Sequence, residues 1–375
     1  MPSLDQLSRC LEQLEADGLL RLPAGADGLA GEGELIACTN DYLGLTQVAV
    51  SRETLSSVPP GAGASRLIFG THHAHLELED VLARWVGKPR ALLFTSGYAA
   101  NVGTLQSLCD ADSVIISDAL NHASLIDGCR LSRAKTIVVP HRALDQVERA
   151  LSAHSNVSAL WVVVESYYSM DGDSPDLPAL RRLCDRYRAH LVVDEAHALG
   201  VFGLNGAGLC AAAGVDPDIL IGTLGKAVGG SGAFVAGSEA LYTWLWNRAR
   251  SFVFSTAPSP LVSALVLCHV KHVIGAEAQR SRLHALAQRL RGPLLAAGLR
   301  LPEGNHGPII PILLGDERRT LQAAAHLRRE HILVQAIRPP TVPSGSARLR
   351  VTLNALMSDD DVDRLAQALL RACRQ

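Results

Sequence analysis

The sequence predicts an α/β protein whose larger domain is built on a mainly parallel sheet of seven strands. Short β-branched runs alternate with longer stretches of helical periodicity, the pattern of a parallel sheet covered by helices. The runs are continuously apolar, as expected for strands buried on both faces. After about Pro260 the sequence changes to a long helical stretch with fewer apolar runs, which predicts a second, smaller domain.

Seven apolar runs are the predicted strands of the larger domain. Between them, the stretch from Leu177 to Tyr187 has helical periodicity, with Pro178 near its start. Two later runs, at 309–315 and 347–354, predict the strands of a small α+β domain that ends in a helix. The seven runs are ALLFTS (91–96), SVIIS (113–117), KTIVVP (135–140), ALWVVVES (159–166), HLVVDEA (190–196), DILIGTLG (218–225) and GAFVAG (232–237).

These changes along the chain predict three parts. Residues 1–40 are expected to form a helical arm, because four leucines recur at helical spacing between positions 4 and 14. Residues 41–262 are expected to form the large domain, and residues 263–375 the small C-terminal domain.

Composition excludes several classes of protein. With 48% hydrophobic and 19% charged residues, the chain can bury a large core, which excludes intrinsic disorder. Its 35 basic and 37 acidic side chains leave a formal charge of -2, without the basic excess of a nucleic-acid-binding protein. Eight scattered cysteines include no C-x-x-C pair, so neither a zinc site nor a disulfide framework is predicted. With no apolar run of 18 residues and no secretory signal, we expect a cytoplasmic protein without a membrane partner.

Polar residues follow several predicted strands at their carboxyl ends, where ligands collect in open α/β sheets. Asp194-Glu195-Ala196-His197 follows one strand, and small and polar residues at 95–101 and 166–173 follow two others. Lys226 ends a further strand, among glycines. Only four of the 35 basic residues are lysines, and Lys226 alone combines a buried strand end with convergent polar partners. The joint pattern predicts a site at one edge of the sheet.

Taken singly, these motifs have other interpretations. The sequence from Asp194 to His197 could belong to a helicase, but no G-x-x-x-x-G-K-[ST] loop accompanies it. A dinucleotide fingerprint at Gly61-Ala62-Gly63 also fails, since Arg66 stands where the third glycine belongs. Three histidines at positions 72, 73 and 75 lack the further ligands of a metal site, so a histidine-rich turn near the core is preferred and no metal is predicted.

In their order along the chain, the motifs resemble those of the fold-type I pyridoxal-phosphate (PLP) enzymes, and among these the α-oxoamine synthases. The resemblance extends from about Asn40 to the C-terminus. The segment from Ala336 to Arg350 is similar to the branch of that family that uses L-alanine and a pimeloyl thioester. The motifs are NDYLGL (40–45), GY (97–98), NHAS (121–124), SMDGD (169–173), DEAH (194–197), TLGK (223–226) and ST (255–256).

The resemblance implies a role for each candidate residue. Lys226 would bind PLP covalently and then remove the α-proton of the amino acid, and Asp194 would keep the pyridine nitrogen protonated. His122 would stack on the ring, and His197 would complete the catalytic set. The resemblance also implies that the phenolic oxygen of the ring contacts His197 and Ser169. It implies that the phosphate contacts Gly97, Tyr98, Thr223 and a second subunit's Thr256. The substrate contacts that it implies are those of Arg21, Asn40, His122, Thr341 and Arg350.

The activity implied by the resemblance is a decarboxylative condensation in a homodimer whose active site lies at the subunit interface. L-alanine would attack a pimeloyl thioester of coenzyme A or of an acyl carrier protein, releasing carbon dioxide and the thiol. Two alternatives stay open. The chain could be another α-oxoamine synthase, joining glycine or serine to a different acyl-CoA, or a PLP-binding protein without turnover.

Overall fold

The computed structural model describes residues 3–21, 31 and 33–374, which fold as two units. The large unit comprises Asn40–Ser169 and Asp173–Arg282, and the small unit comprises Met1–Thr39, Met170–Gly172 and Leu283–Gln375. The expected arm of residues 1–40 therefore belongs mostly to the small unit.

The C-terminal part of the small unit begins at Leu283 and not at the expected boundary of 263, because the helix Pro260–Gly275 packs in the large unit against the helix His73–Trp85.

The strands and helices are numbered in chain order. The strands are β1 (Leu35–Ile36), β2 (Arg90–Phe94), β3 (Ser113–Asp118), β4 (Lys135–Val139), β5 (Ala159–Glu165), β6 (His190–Asp194), β7 (Ile219–Thr223), β8 (Ala233–Gly237), β9 (Ile309–Gly315), β10 (Ile332–Leu333), β11 (Gln335–Ile337) and β12 (Ala347–Thr352). The helices are α1 (Leu7–Ala16), α2 (Arg52–Ser56), α3 (His73–Trp85), α4 (Gly97–Leu108), α5 (Ala123–Ser132), α6 (Leu144–Ala153), α7 (Leu177–Tyr187), α8 (Gly208–Ala212), α9 (Glu239–Arg248), α10 (Arg250–Val253), α11 (Pro260–Gly275), α12 (Glu277–Ala296), α13 (Glu317–Arg329) and α14 (Asp359–Arg374).

The large unit is built on a seven-stranded sheet in the order β2-β8-β7-β6-β5-β3-β4. Strand β8 is antiparallel to both of its neighbours, and the other pairs are parallel. Each of the seven predicted runs forms one of these strands, so the predicted α/β fold with a mainly parallel sheet is confirmed. In β5, Trp161 and Val163 pack in one apolar cluster while Val162 and Val164 pack in the other. The sheet is therefore buried on both faces.

The histidine-rich segment forms a turn at the start of α3 in the large unit. The Nδ1 atom of His72 accepts a hydrogen bond from the backbone N–H of Ala74 at 3.2 Å. His75 is fully buried, and its Nε2 atom lies 2.8 Å from the carbonyl oxygen of Pro258. These histidines begin and anchor a helix.

The small unit contains an antiparallel sheet in the order β11-β12-β9 and a two-stranded parallel pair, β1 with β10. The strands at 309–315 and 347–352 lie within the predicted runs. Strands β1, β10 and β11 have only two or three residues, too few to show the alternation from which strands are predicted.

Among the described residues, no single helix is long and apolar enough to cross a membrane, although the bent pair Pro260–Gly275 and Glu277–Ala296 meets the length and composition requirement jointly.

Candidate active site

A pocket in the large unit lies at the carboxyl ends of the parallel strands, as the sequence predicts. It encloses about 540 Å³ of space, part of it open to solvent. Strands β7, β6, β5 and β3 are consecutive neighbours in the sheet, so side chains at or after their carboxyl ends can line one pocket. The pocket is lined by Gly97, Tyr98, Asn101, His122, Ser124, Glu165, Asp194, Ala196, His197, Thr223 and Lys226.

Asp194 is a buried carboxylate at the end of β6. Its Oδ1 atom accepts the backbone N–H of Ala196 at 2.8 Å, and its Oδ2 atom accepts the amide of Asn101 at 2.8 Å. Asn101 lies one turn into α4 and also donates to the hydroxyl of Ser124 at 2.8 Å. The sequence prediction missed Asn101, although its place in the GYAAN sequence at the start of α4 was available as a signal.

His122 begins helix α5, and its ring faces the pocket. The Nδ1 atom lies 2.7 Å from the hydroxyl oxygen of Ser124 and accepts that residue's backbone N–H at 3.2 Å. Burial lowers the pKa of His122; the charge of Asp194 opposes this change and that of Lys226 adds to it. The imidazole is therefore neutral near pH 7, as suits a ring that stacks on an aromatic ligand.

Lys226 is held in a tight glycine turn after β7. The backbone N–H of Gly229 donates to the Lys226 carbonyl at 2.8 Å, and that of Gly230 donates to the Leu224 carbonyl at 2.8 Å. Gly229 has a φ of +66°, and a Cβ atom on Gly230 would lie 2.4 Å from a methyl carbon of Val266. A side chain at Gly229 would be strained, and one at Gly230 would clash, so these two positions favour glycine in the turn that brings Lys226 to the pocket.

A buried tyrosine connects two predicted site residues. The hydroxyl oxygen of Tyr42 lies 2.7 Å from Nδ1 of His197, and the same hydroxyl donates to Oδ1 of Asn40 at 3.3 Å. Tyr42 is fully buried in the large unit. Asn40 is therefore joined to the pocket through Tyr42, which the sequence prediction placed in a motif but gave no role.

The start of α4 offers an anion-binding position at the rim of the pocket. Gly97 and Tyr98 form its first turn, where backbone N–H groups have no partner inside the helix and the helix dipole favours negative charge. The Ser96 side chain caps the helix by accepting the N–H of Ala99 at 3.1 Å. Thr223 places a hydroxyl on the same pocket.

Comparison with known proteins decides the family. The profile that describes aminotransferase classes I and II matches residues 35–369, most of the chain. The chain belongs to the aminotransferase class I and II family.

Relatives place the chain within this aminotransferase family more finely. It is 44% identical over 392 residues to an 8-amino-7-oxononanoate synthase of Bordetella petrii, covering 98% of each chain. A serine palmitoyltransferase from S. paucimobilis, solved with a bound PLP–myriocin aldimine, has a TM-score of 0.91 at 28% identity and covers 100% of this chain and 99% of its own. An 8-amino-7-oxononanoate synthase from Francisella tularensis has a TM-score of 0.80 at 26% identity, over 92% and 99% of the two chains. The resemblance that the sequence predicts is confirmed by the relatives named 8-amino-7-oxononanoate synthase.

Seven residues predicted from the resemblance line the pocket of this aminotransferase-family chain, and others do not. Ser169 is not among the lining residues, but its backbone N–H donates to Glu165, which lines the pocket. Thr256 is exposed, forms a bridge with Ser65 and is not among the lining residues of the pocket. The seven are Gly97, Tyr98, His122, Asp194, His197, Thr223 and Lys226.

The other three predicted substrate residues, Arg21, Thr341 and Arg350, lie in the small unit, whereas Asn40 lies in the large unit. Arg350 is a buried residue of β12, with 5% of its surface exposed, so it is not an ordinary exposed strand arginine. Arg21 donates to the hydroxyl of Thr341 at 3.3 Å, which brings two predicted substrate residues together. Arg21 also donates to the Pro339 carbonyl at 3.4 Å.

Proposed function

We propose that the chain is a PLP-dependent C-acyltransferase of biotin biosynthesis. It joins L-alanine to a pimeloyl thioester of coenzyme A or acyl carrier protein. The products are 8-amino-7-oxononanoate, carbon dioxide and the free thiol. The relatives named 8-amino-7-oxononanoate synthase and the sequence from Ala336 to Arg350 support this substrate pair.

The observation that carries the proposal is the convergence of an amine, a carboxylate and a neutral imidazole in one pocket. These groups belong to Lys226, Asp194 and His122. The set fits PLP: the amine can link to an aldehyde, the carboxylate can hold a protonated ring nitrogen, and the N-terminus of α4 can take a phosphate. When bound, PLP would supply an electron sink that takes up the electron pair of the carbanion and, later, the electron pair left on the substrate when carbon dioxide leaves.

The side chains of the pocket divide the remaining work. Lys226 would hold the cofactor through its amine nitrogen; once the amino group of alanine has displaced it, the freed amine would accept the α-proton and return a proton after the carboxyl group has left. Asp194 holds the proton on the ring nitrogen, with its orientation fixed by Ala196 and Asn101. His122 covers one face of the ring and excludes water from it. His197, oriented by Tyr42, and Ser169 hold the phenolic oxygen.

Phosphate and substrate contacts complete the proposal. Gly97, Tyr98 and Thr223 hold the phosphate, with Thr256 supplied by the partner subunit of a homodimer. Exposed Ile68 and Phe69, at 81% and 86%, support a subunit contact in that dimer. Arg350 binds the alanine carboxylate through a two-bond fork, and Arg21, Asn40, Thr341 and His122 contact substrate. We propose a cytoplasmic homodimer, which sedimentation at defined protein concentration tests.

The first experiment replaces the lysine. In Lys226→Ala, the visible absorption band of lysine-bound PLP and thiol release should both be abolished. Lys271→Ala is the matched control, because Lys271 is an exposed lysine of the same unit, paired with Glu77 at 3.3 Å, and should keep both signals. Retention of the band and of turnover in Lys226→Ala would refute the proposal.

A substrate panel separates the proposal from its nearest competitor. The similarity to serine palmitoyltransferase favours, as a second candidate, the condensation of serine or glycine with another acyl-CoA. Purified enzyme is offered alanine, glycine or serine with pimeloyl-CoA, pimeloyl carrier protein or palmitoyl-CoA, and the free thiol is measured. We expect release with alanine and a pimeloyl thioester. Release with serine and palmitoyl-CoA alone favours the second candidate, and PLP binding without release from any pair indicates a non-catalytic protein.

A further inference from the structure

A second buried carboxyl group lies beside the proposed PLP site. Glu165 ends β5, has 3% of its surface exposed, and lines the same pocket as Asp194 and Lys226. One of its oxygens accepts the backbone N–H of His122 at 2.6 Å. It also accepts the backbone N–H of Ser169. The sequence prediction gave Glu165 no role.

These two hydrogen bonds join loops that leave neighbouring strands. His122 follows β3, and Ser169 follows β5, which pairs with β3 in parallel register. The loop of His122 is fixed to β5 a second time, because the amide of Asn121 donates to the carbonyl of Val163 at 2.8 Å. One carboxyl group therefore sets the backbone positions of two residues that would contact the ring of PLP.

Folding stability alone does not account for a carboxyl group at this position. Burial and the charge of Asp194, opposed by that of Lys226, raise the pKa of Glu165 to about 8. A carboxyl group whose pKa rises on folding lowers the stability of the folded state as the pH increases from its unfolded value towards the folded one. The ionisable group therefore lowers the stability of the fold at neutral pH, and its hydrogen bonds to the loops of His122 and Ser169 are what account for its presence.

We propose that Glu165 is a positioning residue for the cofactor, acting through the backbone of His122 and of Ser169. The inference rests on the proposed function, because it assigns those two residues to the ring of PLP. Replacing the carboxyl group by an amide exchanges one oxygen, which can accept a hydrogen bond even when it is protonated, for an NH2 group that only donates, so the hydrogen bonds that hold the two loops are disturbed. A shift near 1 Å is enough to change turnover by about 10²-fold.

The test compares Glu165→Gln with Glu195→Gln in the PLP-loaded enzyme. Glu195 is an equally buried carboxyl at the next strand end, but it does not line the pocket and instead binds the Ser166 hydroxyl at 2.9 Å and the Cys210 N–H at 2.6 Å. Three signals are measured: the pH midpoint of the visible PLP band, PLP retention by fluorescence, and the kinetics of thiol release. Urea unfolding of both variants shows that each is folded.

In Glu165→Gln we expect the midpoint of the band to shift by about half a pH unit or more. PLP retention should fall, and kcat/KM for alanine should fall about tenfold or more. In Glu195→Gln the band and its midpoint should match wild type, whatever the change in stability. A Glu165→Gln enzyme with wild-type band, retention and kinetics overturns the proposal.

The two proposals fail in different ways. Wild-type protein that binds PLP but releases no thiol refutes the proposed reaction, while the band and retention measurements still decide the role of Glu165. Wild-type protein that shows no visible band on adding PLP refutes both.

Discussion

One histidine of the large unit, His141, is expected to stabilise the fold at neutral pH and to lose that effect as the pH rises. The ring of His141 lies between two buried carboxylates, with Nδ1 2.9 Å from Asp118 and Nε2 2.9 Å from Asp173. Burial lowers the pKa of His141, but the hydrogen bonds and charges of the two carboxylates outweigh it and raise the pKa to about 9. The Arg142 guanidinium binds Asp173 as well, at 2.9 Å.

The magnitude follows from the difference between the folded and unfolded pKa. A rise from 6.5 to about 9 corresponds to about 3 kcal/mol, at 1.36 kcal/mol per unit. Because the folded pKa is the higher one, this contribution is fully present below pH 6.5 and is lost as the pH rises through 9. About 2 kcal/mol of it should disappear between pH 7 and pH 9.

The measurement is urea unfolding of PLP-loaded protein at fixed concentration, from pH 6 to pH 9, for wild type and His141→Gln. The stability difference between the two should be about 2–3 kcal/mol near pH 6 and should fall below about 1 kcal/mol at pH 9. His326→Gln is the control, since His326 pairs with Glu330 near the surface and should change stability by less than about 1 kcal/mol. A difference that is as large at pH 9 as at pH 6 would mean that His141 acts through packing, and would refute the charge argument.

Two further substitutions test how the large unit is held. Glu79→Gln breaks a buried ion pair with Arg66, 3.0 Å long, and should lower the free energy of unfolding by about 3–5 kcal/mol. The control is Glu77→Gln, an exposed position on the same helix, which should lower it by less than about 1 kcal/mol. Equal losses of the two variants in urea unfolding would contradict this reasoning. Gly230→Ala places a methyl group 2.4 Å from a valine of α11, so it should lower the free energy of unfolding by about 1–3 kcal/mol and weaken the visible PLP band. The control Gly275→Ala has open space around it and should change the free energy of unfolding by less than about 0.5 kcal/mol. A normal band and normal stability in Gly230→Ala would show that the turn can adjust.

The sequence predicts the large unit well because most of its strands are buried on both faces, the edge strand β4 being the exposed exception. Short, β-branched apolar runs, such as the one from 159 to 166, favour buried strands, and all seven form strands. The two-residue strands β1 and β10 could not be predicted, since their pairing is fixed by distant residues and not by local periodicity. The boundary at Leu283 also escaped prediction, because it lies within the continuous helix α12.

The pocket shows the same division between local and distant determinants. Lys226 and Asp194 were predictable because Asp194 ends a strand and Lys226 closely follows one, and strand ends in a parallel sheet meet at one edge. Tyr42 and Glu165 were not, because their roles arise from hydrogen bonds across 155 and 43 positions of the chain, respectively. The type of residue gives no sign of such partners.

The two carboxyl groups of the pocket are placed in different surroundings, and that difference decides what each can do. Asp194 accepts N–H groups from Ala196 and Asn101, one on each oxygen, which orients both oxygens while leaving lone pairs for a ligand. Glu165 takes its hydrogen bonds from the backbone of the loops, and with a pKa raised to about 8 it is largely protonated at neutral pH. A protonated carboxyl group cannot hold a cationic ring nitrogen, so Asp194 is the group suited to that task. Glu165 can then shape the pocket without adding a second negative charge beside Lys226.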